Sequence, residues 1–208
     1  MTTDSWIRDP AEIYRRSFAA IRAEAPLETL PENLREVAVR VIHACGMPDV
    51  VGDLAASPGA AAAGRAALAA GAPILVDAEM VAHGIIRRRL PADNAVICTL
   101  NDAAVEVAAR EIGTTRSAMA VELWRPWLEG AVVAVGNAPT ALFRLLDMVA
   151  EGGPRPALVL GFAVGFVGAV ESKDALIASG LPHIAIRGRR GGSAMAAAAV
   201  NALAGGLE

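Results

Sequence analysis

The sequence predicts an α/β fold: a three-layer domain in which a mostly parallel sheet is covered by helices on both faces and preceded by two N-terminal helices. Short, continuously apolar segments such as residues 131–135 and 183–186 alternate with helical segments, which is the pattern of parallel strands buried on both faces. The 208 residues are 54% hydrophobic, with a mean hydropathy of +0.43, so the chain can bury a large core. We therefore expect a single domain over residues 1–208.

Two helices are expected to open the chain. The first covers residues 10–25, with Asp9 as its N-cap and Pro10 in the first helical position. The second covers residues 31–45, where apolar residues recur with helical spacing.

Strands and helices alternate after these two helices. Strands are expected at residues 50–54, 73–77, 95–98, 131–135, 157–160 and 183–186. Helices are expected at residues 58–70, 78–83, 115–128, 140–150, 170–179 and 193–203, with another that ends at residue 112 before Gly113. The helix over residues 115–128 is expected to bend at Pro126, because proline removes a backbone hydrogen bond. Ligands of such folds bind beyond the carboxyl ends of the strands, so we expect the functional site there.

The helix over residues 31–45 carries the first candidate functional residues. Its apolar residues share one side, whereas His43 points away from them and Arg40, three residues earlier, lies next to His43. We therefore expect an imidazole and a guanidinium on the side that faces away from the core. Imidazole exchanges protons near neutral pH, and an adjacent cation would lower its pKa and attract an anionic substrate. An ordinary exposed pair on a surface helix is the alternative.

The basic residues indicate which ligands the chain can bind. The net charge is -3, which does not favour nucleic-acid binding, and Lys173 is the only lysine among 19 basic residues. Arginine binds carboxylates and phosphates through a planar fork, although an arginine-rich composition also follows from a GC-rich genome. Arg189 and Arg190 precede Gly191 and Gly192 at the start of the last helix, where arginines and helix-start amides can bind an anion. A plain loop is the alternative.

The two cysteines, Cys45 and Cys98, show no metal-ligand spacing, so we expect neither a structural metal nor a disulfide framework. No segment is both long and apolar enough to span a membrane, and residues 1–10 lack the apolar core of a secretory signal. These features favour a cytoplasmic protein. Two thiols are also the machinery of some racemases, but Cys45 lies on the apolar side of its helix, where thiols are usually inert.

Five segments of the chain, in this order, are similar to one known family. They are VIHACG at residues 41–46, TRS at 115–117, GNAPTAL at 136–142, GFVGAVESK at 165–173 and GRRGGS at 188–193. Together they resemble precorrin-8X methylmutase, an enzyme family of cobalamin biosynthesis, over nearly the whole chain. The resemblance implies an isomerase that moves the methyl group at ring carbon C-11 of precorrin-8X to C-12 and yields hydrogenobyrinate. It also implies a homodimer and a reaction without metal, nucleotide or external methyl donor.

The resemblance assigns roles to particular residues. The proton-handling histidine of the family corresponds to His43, and its substrate contacts correspond to Ser17 and Arg40. Further candidates for contacts with the carboxylates of the corrin ring are Arg116, Ser117, Lys173, Arg189, Arg190, Gly191 and Gly192. Helical spacing places Ser17 at the edge of the buried side of its own helix, from which it would line the pocket.

Three alternative functions stay open at the level of the sequence. One is conversion of cobalt-precorrin-8, the metallated ring of the anaerobic route, because the residues do not distinguish a metal-free ring from a metallated one. Another is binding of a corrinoid without catalysis. The third is a cysteine-dependent amino-acid isomerase that uses Cys45 and Cys98.

Overall fold

The computed structural model describes residues 6–205, which form nine α-helices, four 3-10 helices and one six-stranded sheet. The α-helices are α1 Pro10–Glu24, α2 Glu32–Cys45, α3 Ala60–Ala69, α4 Glu79–Gly84, α5 Ala103–Ile112, α6 Arg116–Glu122, α7 Pro139–Ala150, α8 Ala169–Ala178 and α9 Ser193–Ala204. The strands are β1 Leu54–Ala56, β2 Ile74–Val76, β3 Val96–Ile97, β4 Val132–Val135, β5 Leu158–Gly161 and β6 His183–Ile186. The 3-10 helices are Leu27–Thr29, Pro48–Asp53, Arg87–Arg89 and Arg125–Trp127.

The six strands lie in the order β1-β6-β5-β4-β2-β3. Strands β2 to β6 are parallel, and β1 pairs with β6 in the antiparallel direction at one edge. The predicted α/β fold with a mostly parallel sheet is therefore confirmed. Because the five parallel strands run in one direction, their carboxyl ends and the loops that follow them meet at the same edge of the sheet.

Alternate residues of each strand point into two separate hydrophobic layers. Val132 and Ala134 pack in the layer that contains α1, α2, α3, α4 and α9. Val133 and Val135 pack on the opposite face with α6, α7 and α8. Burial of both faces explains why the strands are continuously apolar in the sequence. Candidate functional residues on α1 and α2 thus lie in the first layer, and those on α6 and α8 lie in the second.

The predicted strand over residues 50–54 is wrong for its first four residues. The chain there forms the 3-10 helix Pro48–Asp53, and β1 begins only at Leu54. Val50 and Val51 are buried through this helix instead of through a sheet. A short apolar run satisfies either arrangement, so its periodicity alone does not separate them.

The predicted single helix over residues 115–128 is also wrong. Helix α6 ends at Glu122, and the separate 3-10 helix Arg125–Trp127 follows it. In a continuous α-helix the ring of Pro126 would clash with the carbonyl group of Glu122, so the chain breaks there instead of bending.

Two predicted helix boundaries are confirmed in atomic detail. Asp9 Oδ1 accepts a hydrogen bond of 3.0 Å from the N–H group of Ala11 at the start of α1. Gly113 ends α5 with a φ of 70°, the left-handed conformation that glycine adopts without strain.

Buried Asp77, directly after β2, joins this strand to the turn after β4. Its carboxylate accepts hydrogen bonds from the N–H groups of Gly136, Asn137 and Ala138 at 2.8, 2.9 and 2.7 Å. Burial raises the pKa of this carboxyl group, and the three N–H donors oppose that rise. The three bonds fix the start of α7 against the neighbouring strand.

Within residues 6–205, every helix is too short or too polar to cross a membrane. The expected lack of a secretory signal concerns residues 1–10, of which residues 1–5 lie outside the described residues. It stays a prediction, as does the single domain over residues 1–208.

Candidate active site

Helices α1 and α2 bring Ser17 and His43 together. The Oγ atom of Ser17 lies 2.8 Å from Nδ1 of His43. The centroid of the imidazole ring lies 5.5 Å from that of Tyr14 and 5.1 Å from that of Phe18. Tyr14, Ser17 and Phe18 are three and four residues apart, so they share the face of α1 that meets α2. The packing of α1 against α2 thus places the Ser17–His43 pair next to two aromatic rings.

His43 is exposed and borders two clefts. The first, of about 240 Å³, is lined by Tyr14, Arg40, His43, Ala44, Gly84, Ile86, Ala194, Ala197, Ala198 and Asn201. The second, of about 230 Å³, is lined by Ser17, Ala20, Ile21, Glu24, Ile42, His43, Gly46 and Pro48. A general acid or base must reach its substrate within hydrogen-bond distance. The imidazole of His43 meets this requirement for a ligand bound in either cleft.

Arg40 lies beside His43 as expected, but the prediction that it faces away from the core is wrong. Arg40 is buried, with 7% of its surface exposed, and its guanidinium carbon lies 5.9 Å from the centroid of the Phe18 ring. Helix α9 packs against α2, and its Ala197 and Ala198 line the same cleft as Arg40. A helical wheel describes one helix and contains no information about this neighbour. Arg40 still borders the first cleft together with His43.

The surroundings of His43 favour its neutral form. Partial burial of the ring and the charge of Arg40 both lower the pKa of His43. In the neutral tautomer with its proton on Nε2, the Ser17 hydroxyl donates to Nδ1; in the imidazolium, Nδ1–H donates to Ser17 Oγ. Ser17 therefore supports the ring in both protonation states. Among the described residues Nε2 has no hydrogen-bond partner, which leaves this atom for a ligand.

A second cluster lies under the loop that follows β6. The Nζ atom of Lys173 donates to the carbonyl oxygen of Arg190 at 2.6 Å, and the Lys173 side chain is 0% exposed. Burial lowers the pKa of Lys173 to about 8. The guanidinium of Arg190 in turn donates to the carboxylates of Asp49 and Asp53. Two of the candidate substrate-binding residues, Lys173 and Arg190, therefore form hydrogen bonds with groups of the protein itself.

Gly191 and Gly192 let the same loop pass close to the end of β5. A Cβ atom on Gly191 would lie 2.2 Å from the carbonyl oxygen of Phe162, and the N–H group of Gly192 donates to that oxygen at 2.8 Å. The close backbone contact accounts for Gly191, and a φ of 128° accounts for Gly192. Arg189 is exposed on the loop, 5.2 Å from the centroid of the Phe166 ring, and both residues line a cavity of about 300 Å³.

The loop cavity and the second cleft of His43 are neighbours. Met47 lines the loop cavity, while Gly46 and Pro48 line the second cleft of His43. Residues 46–48 therefore separate the two spaces, and a large ligand above this segment would contact both.

Arg116 and Ser117 lie apart from this group. Both are on α6, in the opposite helical layer, and Arg116 donates to the carbonyl oxygen of Leu100 and to Oδ1 of Asn101. Neither residue lines a cleft with His43. The structure thus brings His43, Ser17 and Arg40 together, whereas Arg116 and Ser117 lie elsewhere.

Sequence analysis missed two features at the border of the first cleft. Asn201 accepts a hydrogen bond of 2.8 Å from the N–H group of Ile86 and donates one of 2.9 Å to the carbonyl oxygen of Gly84. The second feature is the 3-10 helix Arg87–Arg89, which follows Ile86 directly in the chain. Three consecutive arginines are a signal that the sequence contains. The contact of Asn201 with Ile86 spans 115 positions and has no local signal.

The arrangement can exchange a proton and bind anions. The proton site is the imidazole of His43, and the guanidinium of Arg40 in the same cleft is the group that can bind an anion. Among residues 6–205, no group of three or more His, Cys, Asp or Glu side chains is arranged to hold a metal ion.

Comparison with known proteins identifies the family. The family model described as Precorrin-8X methylmutase matches residues 12–205. A precorrin-8X methylmutase of Pseudomonas aeruginosa is 67% identical over 201 residues, which cover 96% of this chain and 97% of the relative. The chain belongs to the precorrin-8X methylmutase family. It is thus a member of a family of isomerases, and the resemblance seen in the sequence is confirmed.

Other precorrin-8X and cobalt-precorrin-8 methylmutases are also similar to this chain. The precorrin-8X methylmutase of Sinorhizobium sp. is 58% identical and covers 96% of both chains. The cobalt-precorrin-8 methylmutase of Salmonella typhimurium is 39% identical over 95% of this chain and 96% of the relative. The crystal structure of a precorrin-8X methylmutase from Thermus thermophilus matches with a TM-score of 0.86 and 40% identity, covering 93% of this chain and 94% of that chain.

The replacement Arg40→Gln is expected to raise the pKa of His43. Removal of the buried guanidinium removes a positive charge that disfavours the imidazolium. NMR titration of the His43 ring protons measures the change, and the chain has only 3 histidines to assign. The exposed Arg110 supplies a control with the same change of charge, and Arg110→Gln should leave this pKa unchanged. A pKa that falls or stays constant in Arg40→Gln would contradict the prediction.

The stability contributed by Lys173 should depend on pH. Its pKa is lowered from 10.5 to about 8 on folding, so between these pH values the unfolded chain binds the additional proton. The free energy of unfolding of the wild type should therefore rise relative to that of Lys173→Met as the pH increases through this window, by on the order of 3 kcal/mol. Urea unfolding of both proteins across this range measures the difference. A difference that is independent of pH would show that Lys173 is not perturbed.

Proposed function

We propose that this protein converts precorrin-8X to hydrogenobyrinate by moving the methyl group at C-11 to C-12, with His43 as the proton donor and acceptor. The observation that carries the proposal is an exposed imidazole, supported by Ser17 at Nδ1 and bordering two clefts, in a chain of this family. The precorrin-8X methylmutases of Pseudomonas aeruginosa and Sinorhizobium sp. share more than half of their aligned residues with the chain.

The reaction is an isomerisation, so its atoms balance within the substrate. The bond between the methyl carbon and C-11 breaks as the bond to C-12 forms. Protonation of the conjugated ring by His43 favours the migration, and a proton leaves the ring again as the product tautomer forms. A positioned acid or base of this kind contributes about 10²–10⁴-fold to the rate.

Ser17 and Arg40 prepare the imidazole for this role. Ser17 holds Nδ1 in either protonation state, so Nε2 is the atom directed to the substrate. Arg40 lowers the pKa of His43, which favours release of the proton to the ring. Arg40 also borders the cleft, where its guanidinium can bind a carboxylate of the substrate.

The remaining candidate contacts fall into two groups. One group consists of Lys173, Arg190, Gly191 and Gly192, which shape the loop after β6. Arg189 is exposed on this loop, where it can bind the carboxylates of the substrate. The other group consists of Arg116 and Ser117 on α6, and we propose that they bind carboxylates at the periphery of the ring. A macrocycle with several acidic side chains is large enough to need contacts from separate segments.

The metal-free ring is the favoured substrate. The precorrin-8X methylmutases of Pseudomonas aeruginosa and Sinorhizobium sp. are 67% and 58% identical to the chain, whereas the cobalt-precorrin-8 methylmutase of Salmonella typhimurium is 39% identical. We expect a higher kcat/KM on precorrin-8X than on cobalt-precorrin-8. Turnover of both rings by the same preparation distinguishes the two substrates.

The cysteine-dependent alternative is disfavoured by the state of the thiols. Burial raises the pKa of Cys45, and it raises that of Cys98 to about 11. The thiolate is the reactive form of cysteine, and both environments disfavour it.

The replacement His43→Ala is expected to lower kcat for precorrin-8X by about 10²–10⁴-fold, because it removes the proton donor. The increase of hydrogenobyrinate absorbance with time measures turnover, and titration with hydrogenobyrinate measures binding separately. Binding should persist, since the arginines that face the ligand are unchanged.

The control for this prediction is His83→Ala, which removes another exposed imidazole and should keep wild-type turnover. Equal turnover by His43→Ala and the wild type would exclude the proposed role. A wild-type protein that only shifts the spectrum stoichiometrically, without further product, would be a corrinoid-binding protein instead of an enzyme.

We extend the proposal to a homodimer in the cytoplasm, as the family resemblance implies. Phe166 and Val167 are 85% and 90% exposed on the loop after β5, and exposed apolar groups of this kind mark contact surfaces. Sedimentation velocity is expected to show a species of about twice the chain mass of 21.3 kDa. A single species of 21.3 kDa at every concentration would contradict the dimer.

A further inference from the structure

The 3-10 helix Arg87–Arg89 concentrates positive charge next to the first cleft of His43. It begins directly after Ile86, which lines that cleft. Burial and then the charge of Arg89 lower the pKa of Arg40, so the two guanidinium groups lie close enough to repel each other. Arg40 therefore borders the cleft, and the three arginines follow the cleft residue Ile86 directly in the chain.

The protein does not neutralise the three arginines of this segment. Within residues 6–205, no carboxylate lies within 4.0 Å of the guanidinium groups of Arg87–Arg89. Some arginines elsewhere are paired with carboxylates, as Arg144 is with Glu122 and Glu151. Repulsion among like charges destabilises an arrangement of this kind, and a bound anion would relieve it.

Asn201 holds this segment in place. It is 6% exposed, and its side-chain amide binds both the N–H group of Ile86 and the carbonyl oxygen of Gly84. A Cβ atom on Gly84 would lie 2.7 Å from the Cβ atom of Ala197, so α4 and α9 are in close contact here. The segment cannot move away from the cleft without loss of these buried hydrogen bonds.

We propose that Arg87–Arg89 form a carboxylate-binding rim of the His43 cleft, which Asn201 positions and which sets the affinity for the acidic side chains of the macrocycle. The inference rests on the proposed function, because that function supplies a substrate with several carboxylates beside His43. Guanidinium groups bind carboxylates through two parallel hydrogen bonds, and at the rim they hold the ring over the imidazole. Arg87 and Arg88 are exposed, and Arg89 is the half-buried member next to Arg40.

The first test is the double variant R87Q/R88Q, which removes the two exposed charges of the rim. KM for precorrin-8X is expected to rise about tenfold or more, and kcat to stay within about twofold, because contacts remote from the migrating methyl group bind substrate and transition state equally. The Kd for hydrogenobyrinate, measured by spectrophotometric titration, should rise in parallel. The increase of KM between about 50 mM and about 500 mM salt should be smaller in the variant than in the wild type.

The matched control is R110Q/R155Q, which removes two exposed arginines away from the clefts and changes the net charge equally. It should keep the wild-type KM and Kd, so a general effect of charge on the acidic ligand would appear in both variants. Equal effects in the two double variants would overturn the rim.

Asn201→Leu tests the positioning role. Loss of both amide contacts should raise KM in the same direction as R87Q/R88Q, while the pH dependence of kcat stays that of the wild type because Ser17 and His43 are unchanged. Thermal unfolding identifies a temperature at which the variant is fully folded, and the kinetics are compared there. A lower kcat with an unchanged KM would show that Asn201 does not act through the rim.

The outcomes for the rim and for the proposed function can be separated. A wild-type protein that neither converts precorrin-8X nor binds hydrogenobyrinate would overturn both. A wild-type protein that converts precorrin-8X, together with an R87Q/R88Q variant of unchanged KM and Kd, would overturn the rim alone.

Discussion

The close packing of the alanine-rich helix α9 against α2 and α4 is the constraint on which the site depends. Ten residues of α9 are buried, and most of them are alanine, so the neighbouring helices can approach closely. Ala194, Ala197 and Ala198 line the cleft that His43 borders. Small side chains at these positions allow the close helix packing and also leave the cleft open, whereas larger ones would fill it.

The same helix gives the site its electrostatic character. Its contact with α2 buries Arg40 beside His43, and both burial and this cation favour the neutral imidazole. Asn201 at the other end of α9 holds the arginine segment next to the cleft. One central helix therefore contributes both to the lowered pKa of His43 and to the position of the arginine segment.

Charged groups in this protein differ in whether the protein itself supplies their partners. Lys173 and Arg190 are committed to the backbone of one loop and to two carboxylates of the 3-10 helix Pro48–Asp53. Arg189 and the arginines of Arg87–Arg89 have no carboxylate of the described chain within 4.0 Å. Residue type alone does not separate these groups, because a guanidinium binds an internal carboxylate and a ligand carboxylate through the same geometry.

The sequence by itself determined the α/β class, the apolar strands, most helix boundaries and the family, because these depend on local composition, spacing and motifs. It also marked His43, since a polar residue opposite an apolar stripe is visible on one helix. The burial of Arg40, the hydrogen bond from Ser17 to His43 and the role of Asn201 were decided only by the tertiary structure. Each of these depends on contacts between segments far apart in the chain, and no local pattern encodes which helices meet.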